Sequence, residues 1–236
     1  MDYNILWFVL IAVLFTGFFF LEGFDYGVGT LLHFISKDEK DRTQIIQTIG
    51  PVWDGNEVWM ITAGGAMFAA FPHVYATMFS TFYIALFLML VALILRGVAF
   101  EFRHHRDDDA WKRRWSCALT FGSVIPAFLW GVAVTNLIAG LPIGANMVYQ
   151  GGFFDLLTPY TVVGGVTFLC VFAFHGAAFL SLRLTNTYLL ARARTLALKF
   201  GAAAALFYVL CMILTYTETD LYDSTVAVSY THLTLP

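Results

Sequence analysis

The sequence predicts an all-α polytopic membrane protein: a bundle of six transmembrane helices with its N-terminus outside. Three observations carry this. Only 12% of the residues are charged, against about 25% in an average soluble domain. The mean hydropathy is +0.74. The apolar residues fall into uncharged runs of the length a bilayer demands, about 20 residues for a helix. A transmembrane strand would need only about ten residues with strict alternation, and no run here alternates in that way.

The six runs cover roughly 5–32, 51–70, 74–102, 116–139, 159–183 and 197–216. The first begins with Met-Asp-Tyr-Asn, without a basic start or a small-residue cleavage site, so it reads as a retained helix. The first and third are long enough to tilt or to protrude from the lipid. Between the runs the charge is one-sided. Twelve of the 13 Lys and Arg lie in the connections after the first, third and fifth runs. The opposite connections carry none. The positive-inside rule therefore places those three basic connections in the cytoplasm. Trp7, Trp53, Trp59, Trp111 and Trp115 fall near the predicted interfaces, where aromatic belts form.

The integral membrane domain is read as 1–227. The chain turns acidic and polar after Tyr216, and residues 228–236 have neither span nor basic anchor, so that tail is given no function. Cys117, Cys170 and Cys211 lie far apart in or beside apolar runs, and imply neither a disulfide framework nor a metal site. The basic residues are scattered in short clusters between spans, so no nucleic-acid partner is expected. No strand precedes the glycines and no Gly-Lys-Ser/Thr follows them, which excludes a nucleotide loop.

The remaining cation, Arg96, lies inside the third run. Its neighbours in depth are acidic. Glu22 and Asp25 fall near the cytoplasmic end of the first helix, Asp54 and Glu57 in the first turns of the second, and Glu101 near the end of the third. Each buried charge costs about 2.5–3.5 kcal/mol near a helix centre, so several are tolerated only if they pair or line a wet cavity. Asp54 and Glu57 are three apart and are expected on one face. Pro51 suits the first turn of their helix. The Gly64 and Gly65 pair is expected to let neighbouring helices close in on them. Carboxylates at graded depth with an Arg are what a proton relay needs; they are also what a structural ion-pair cluster would look like. The residues alone leave both open. Asp38, Glu39, Asp41 and Asp107 to Asp109 are read as solvated loop residues. His175 is the one histidine well inside a span, and a hydrogen bond to a neighbouring helix is the simpler reading of it than haem ligation.

Three segments in order, LEGFDYGVGTLL, IGPVWDGNEVWMITAGGAMFAAFPHVYATMFSTFY and LRGVAFEFR, resemble subunit II of cytochrome bd-type quinol oxidases. The match is dense over about 17–105, and shorter pieces such as HGAAFL and GGFFD extend it. The resemblance implies a haem-free subunit in a bacterial inner (cytoplasmic) membrane. It would stabilise a subunit I that holds two haems of b type and one of d type, oxidises quinol and reduces oxygen to water. A small accessory subunit is a further possible partner. The resemblance also implies a proton-uptake path from the cytoplasm, with Asp54 as its key residue and Asp25 and Arg96 in the same region; Glu57, Glu101 and Glu22 join the path from the depth argument. It implies nine spans, so the chain is expected to lack the last three. The alternatives are a proton-coupled transporter or channel, and a purely structural subunit.

Overall fold

The computed structural model describes residues 2–222, so the proposed tail at 228–236 lies outside the described residues. Among the described residues there are eight α-helices, no strand, and one isolated antiparallel bridge between Ile143 and Tyr149 in the long connection after the sixth helix. Helix α1 spans Tyr3–Ile35, α2 Glu39–Ile49, α3 Trp53–Ala70, α4 Pro72–Thr81, α5 Tyr83–Phe102, α6 Asp109–Ala139, α7 Pro159–Arg183 and α8 Thr187–Glu218. Five of these, α1, α5, α6, α7 and α8, are long and apolar enough to cross a membrane. At about 1.5 Å per residue, the 33 residues of α1 reach about 50 Å, well past a hydrocarbon core of about 30 Å.

The predicted second run does form a helix, but α3 is 18 residues long and opens on Asp54, Asn56 and Glu57, which keeps it out of the strongly apolar set. Three further expectations are corrected. The third run is not one helix. Phe71, held out of the helical region by the proline after it, separates α3 from α4, and Phe82 separates α4 from α5. Just before that break the Thr81 hydroxyl donates to the Thr77 carbonyl at 2.7 Å, a back-bond that bends helices. Pro51 lies in the turn before α3, whose N-terminus has no side-chain cap. The first basic connection, read as a loop, contains the short helix α2, started by the Asp38 carboxylate accepting from the Asp41 N–H at 2.8 Å.

Helix α1 is the hub, packed against α3, α6 and α7, while α5 pairs with α6 and α7 with α8. Glycines set the closest approaches. A Cβ at Gly27 would strike the Phe172 carbonyl of α7, and one at Gly176 would strike the Gly27 backbone, so α1 and α7 cross with backbones touching. A Cβ at Gly122 would lie 2.6 Å from both the Ala92 carbonyl oxygen and the Arg96 Cβ. The two apolar cores sit along α1. One is built on Leu31, Leu32, Ile35 and the α2 isoleucines; the other is built on Phe18, Tyr26 and Phe172.

The basic connections meet at one end of the bundle. Arg192 at the start of α8 donates to the Phe34 carbonyl at the end of α1 at 2.5 Å. Lys37 lies over the Tyr188 ring. Arg103, counted above among the loop cations, is fully buried there. Its guanidinium donates to Ser116 Oγ at 3.0 Å, to Thr43 Oγ1 at 3.0 Å, and to Glu39 Oε2 at 3.0 Å, tying α2 to the α5–α6 turn. Glu39, read as a solvated loop acid, is therefore half of a partly buried ion pair and also contacts Arg42.

Candidate functional site

Helical spacing on α1 puts Glu22, Asp25 and Tyr26 on adjoining positions of one face, and all three are fully buried. On α3, Asn56, Met60, Ala63 and Met67 form the stripe turned to α1. On α5, Arg96 is fully buried between α1 and α6. These three faces make one internal polar cluster.

Arg96 is its centre. One guanidinium nitrogen donates to Glu22 Oε1, and the same Nη1 lies 3.6 Å from Glu57 Oε2. The guanidinium carbon lies 4.9 Å from the Tyr26 ring centroid and 5.9 Å from that of Phe100. Such stacking suits a planar, weakly hydrated cation. Asp25 is held separately: Asn56 Nδ2 donates to its Oδ2 at 2.7 Å. Glu22 Oε2, Asp25 Oδ1, the Tyr26 hydroxyl, Thr30 Oγ1, and Nε and Nη2 of Arg96 are buried without a hydrogen-bond partner among the described residues. Buried polar groups of this kind need partners, and in proteins ordered water commonly supplies them. Three carboxyl groups face one guanidinium, so the cluster holds more acid groups than cations to match them.

The structure thus brings together four of the six residues singled out from the sequence: Glu22, Asp25, Glu57 and Arg96. Asp54 and Glu101 stand apart, both exposed. At about 100° per residue, Asp54 lies some 200° round the helix from the buried Asn56, on the opposite face. Its carboxylate accepts from the Gly55 N–H at 2.8 Å. Glu57 is intermediate, its side chain 18% exposed. Gly64 and Gly65, expected to be squeezed by neighbours, have nothing within 4 Å of an added Cβ, because α3 packs on α1 with its other face open.

Sequence reading missed Asn56, Tyr26 and Arg103. For Asn56 the signal was present: it is in register with Met60, Ala63 and Met67. Tyr26 follows Glu22 by four residues, which also puts it on the buried face. His175 packs against the rings of Phe20 and Phe24, with centroids 5.5 and 5.7 Å away. A Cβ at Gly23 would lie 3.5 Å from its Nδ1. These contacts cover part of the ring, which is half-buried. Among the described residues no group of three or more His, Cys, Asp or Glu is placed to hold a metal ion.

The fold and site define a polytopic helical membrane protein with a buried carboxylate–arginine cluster in the second half of its hub helix. The chain matches the profile of the family described as cytochrome bd terminal oxidase subunit II over residues 3–235, and it belongs to that family. It is 46% identical over 217 residues to the cytochrome bd ubiquinol oxidase subunit 2 of Bacillus subtilis, covering 92% of this chain and 64% of that one. It is 43% identical over 224 residues to a probable cytochrome oxidase subunit 2 of Haemophilus influenzae, covering 92% and 59%. With the cytochrome bd-I ubiquinol oxidase subunit 2 of Escherichia coli K12 it shares 41% identity over 189 residues, covering 77% and 50%. The chain spans between half and two thirds of the length of these relatives.

Proposed function

We propose that the chain acts as the haem-free subunit II of a bacterial cytochrome bd-type quinol oxidase, seated in the cytoplasmic (inner) membrane. In this reading it stabilises a haem-bearing subunit I as a heterodimer, with a small accessory subunit as a further possible member. The two b haems and one d haem of subunit I supply the electron transfer from quinol and the reduction of oxygen to water. This chain supplies protons to that reaction from the side of its basic connections.

The observation that carries the proposal is the gradation of carboxyl groups around Arg96. Asp54 is exposed, Glu57 is partly exposed and 3.6 Å from the guanidinium, and Glu22 and Asp25 are fully buried. A proton entering at Asp54 would pass to Glu57 on the same helix, and then inward through the unpartnered polar atoms of Glu22, Tyr26 and Asp25. Arg96 holds the carboxyl groups in place and offsets the charge left behind when a proton moves on. Glu101, exposed near the end of α5, would lie at the rim of the entrance. The open face of α3, with Asp54 at one end and Gly64 and Gly65 along it, fits a surface on which another helix would close.

The test is Asp54→Asn in the chain co-expressed with subunit I. The expected result is a purified complex with the haem b and d bands of the wild type, whose oxygen consumption falls about a hundredfold, the lower end of what a positioned proton-transfer group contributes. Normal consumption at neutral pH would overturn the relay. Normal turnover per haem with little haem recovered would instead favour a purely structural subunit.

A further inference from the structure

Outside the carboxylate cluster, a second set of reactive side chains meets where the end of α1 crosses the start of α6. Cys117 Sγ lies 3.7 Å from His33 Nε2. The other ring nitrogen, Nδ1, lies 3.0 Å from Thr120 Oγ1. The Thr120 hydroxyl in turn donates to the Gly29 carbonyl at 3.0 Å. A hydroxyl has one hydrogen, and here the Gly29 carbonyl takes it. The threonine oxygen can then only accept from the imidazole, so Nδ1 carries the ring hydrogen. The lone pair of the neutral ring is therefore on Nε2, facing the thiol.

This is the ordered set that an activated nucleophile requires: a thiol, a base within reach of it, and a third group that fixes the base's tautomer. The parts are held firmly. Cys117 and Thr120 are three residues apart on one face of α6. The end of α1 is fastened by the Arg192 bond to the Phe34 carbonyl, one residue beyond His33. Cys117 and His33 are both half-buried, at the bundle end where the basic connections meet. Arg42 and Glu39 of α2 and Arg113 of α6 are the charged groups whose fields reach the imidazole. By contrast Cys170 is buried, and Cys211 lies in an apolar recess between α6, α7 and α8.

We propose that Cys117, with His33 as its base and Thr120 as the positioning residue, is a nucleophilic thiol that exchanges with low-molecular-weight disulfides at this end of the membrane domain. The thiol proton passes to His33 Nε2 as the sulfur attacks one sulfur of the disulfide. A new S–S bond forms to Cys117, the old one breaks, and the leaving thiolate takes the proton from His33. The products are a mixed disulfide on Cys117 and one free thiol: the Cys117 thiol is oxidised and the added disulfide reduced. The reaction is independent of the proposed proton path, whose residues it does not use.

The experiment uses the full chain in its membrane complex, with Cys170→Ser and Cys211→Ser introduced and a Cys117→Ser version subtracted as background. The probe is dithiobis(2-nitrobenzoate), whose released thiolate is read by absorbance. The expected result is a Cys117-dependent release that slows about tenfold or more in His33→Gln at neutral pH. The ratio should shrink toward one above about pH 9, where a free thiol ionises without help. A ratio that stays constant across pH would assign His33 a merely structural role and overturn the proposal, as would equal rates. If His33→Gln does not accumulate, Thr120→Val serves in its place. It removes the group that orders the tautomer and should slow release several-fold at neutral pH, and an unchanged rate there overturns the proposal.

Discussion

Asn56 on α3 donates to Asp25 on α1 at 2.7 Å, and both side chains are buried. This bond joins the two helices that carry most of the acid cluster, and the Asn56 amide also reaches the Leu21 carbonyl at 3.4 Å. Asn56→Ala leaves a buried carboxyl group without its partner, a loss of about 1–3 kcal/mol. The variant is expected to show a lower thermal midpoint in detergent, followed by the loss of helical circular dichroism. An Asn56→Asp change is expected to be worse, because it sets a second carboxyl group against Asp25.

The Arg96–Glu22 pair has no water-exposed side on either partner. Breaking a buried pair by removing one member costs about 3–5 kcal/mol, whereas replacing both with apolar groups of similar volume is often neutral. Arg96→Leu is therefore expected to abolish accumulation in the membrane. The double variant Arg96→Leu with Glu22→Leu is expected to recover most of it. If the cluster conducts protons, the recovered protein stays slow in oxygen consumption, and recovery of full turnover would mark the pair as a structural pin. Quantitative immunoblots of membranes and an oxygen electrode read the two effects separately.

The long apolar helices were legible because burial in lipid selects long uncharged runs, which leaves nearly all the Lys and Arg to the connections. The six-residue list was drawn from depth alone, which is one coordinate. Depth put Asp54 with Glu22 and Asp25, but azimuth turns it away from the buried Asn56 stripe that faces α1, since a helix turns about 100° per residue. Asn56 is uncharged and so drew no notice, although its register with Met60, Ala63 and Met67 marked it as facing α1. Arg103 was grouped with loop cations because it is followed by His104, His105 and Arg106 in a charged stretch. Only the packing of α2 reveals that it is enclosed. The break at Phe82 left only a weak trace in the sequence, a threonine just before it.

Arg103 holds α2 through Thr43 and through the carbonyl and carboxylate of Glu39, and it reaches across the turn to Ser116 of α6. A lysine keeps the charge but cannot present the same planar fork. Arg103→Lys is expected to weaken the attachment of α2 without unfolding the spans. Hydrogen exchange at the amides of 39–49 should speed up by roughly ten- to a hundredfold, the equivalent of about 1.4–3 kcal/mol, while amides in α6 and α7 keep their protection. Equal exchange in wild type and variant would show that the isoleucine packing of α2, through Ile45, Ile46 and Ile49, is sufficient to hold it.

Gly27 and Gly64 separate folding from assembly. A methyl group at Gly27 would strike α7 backbone, which cannot move aside, so Gly27→Ala is expected to prevent the α1–α7 crossing and to remove the protein from the membrane. A methyl group at Gly64 meets nothing within 4 Å among the described residues. Within a helix, Gly→Ala at an open site stabilises by about 0.5–1 kcal/mol, so the chain alone should accumulate normally. If the open face of α3 is where another subunit's helix closes, the same methyl group sits in that contact. Gly64→Ala is then expected to leave the level of this chain unchanged and to lower the haem that copurifies with it. Full haem recovery with Gly64→Ala, and with Gly64→Leu, would place the partner on a different face.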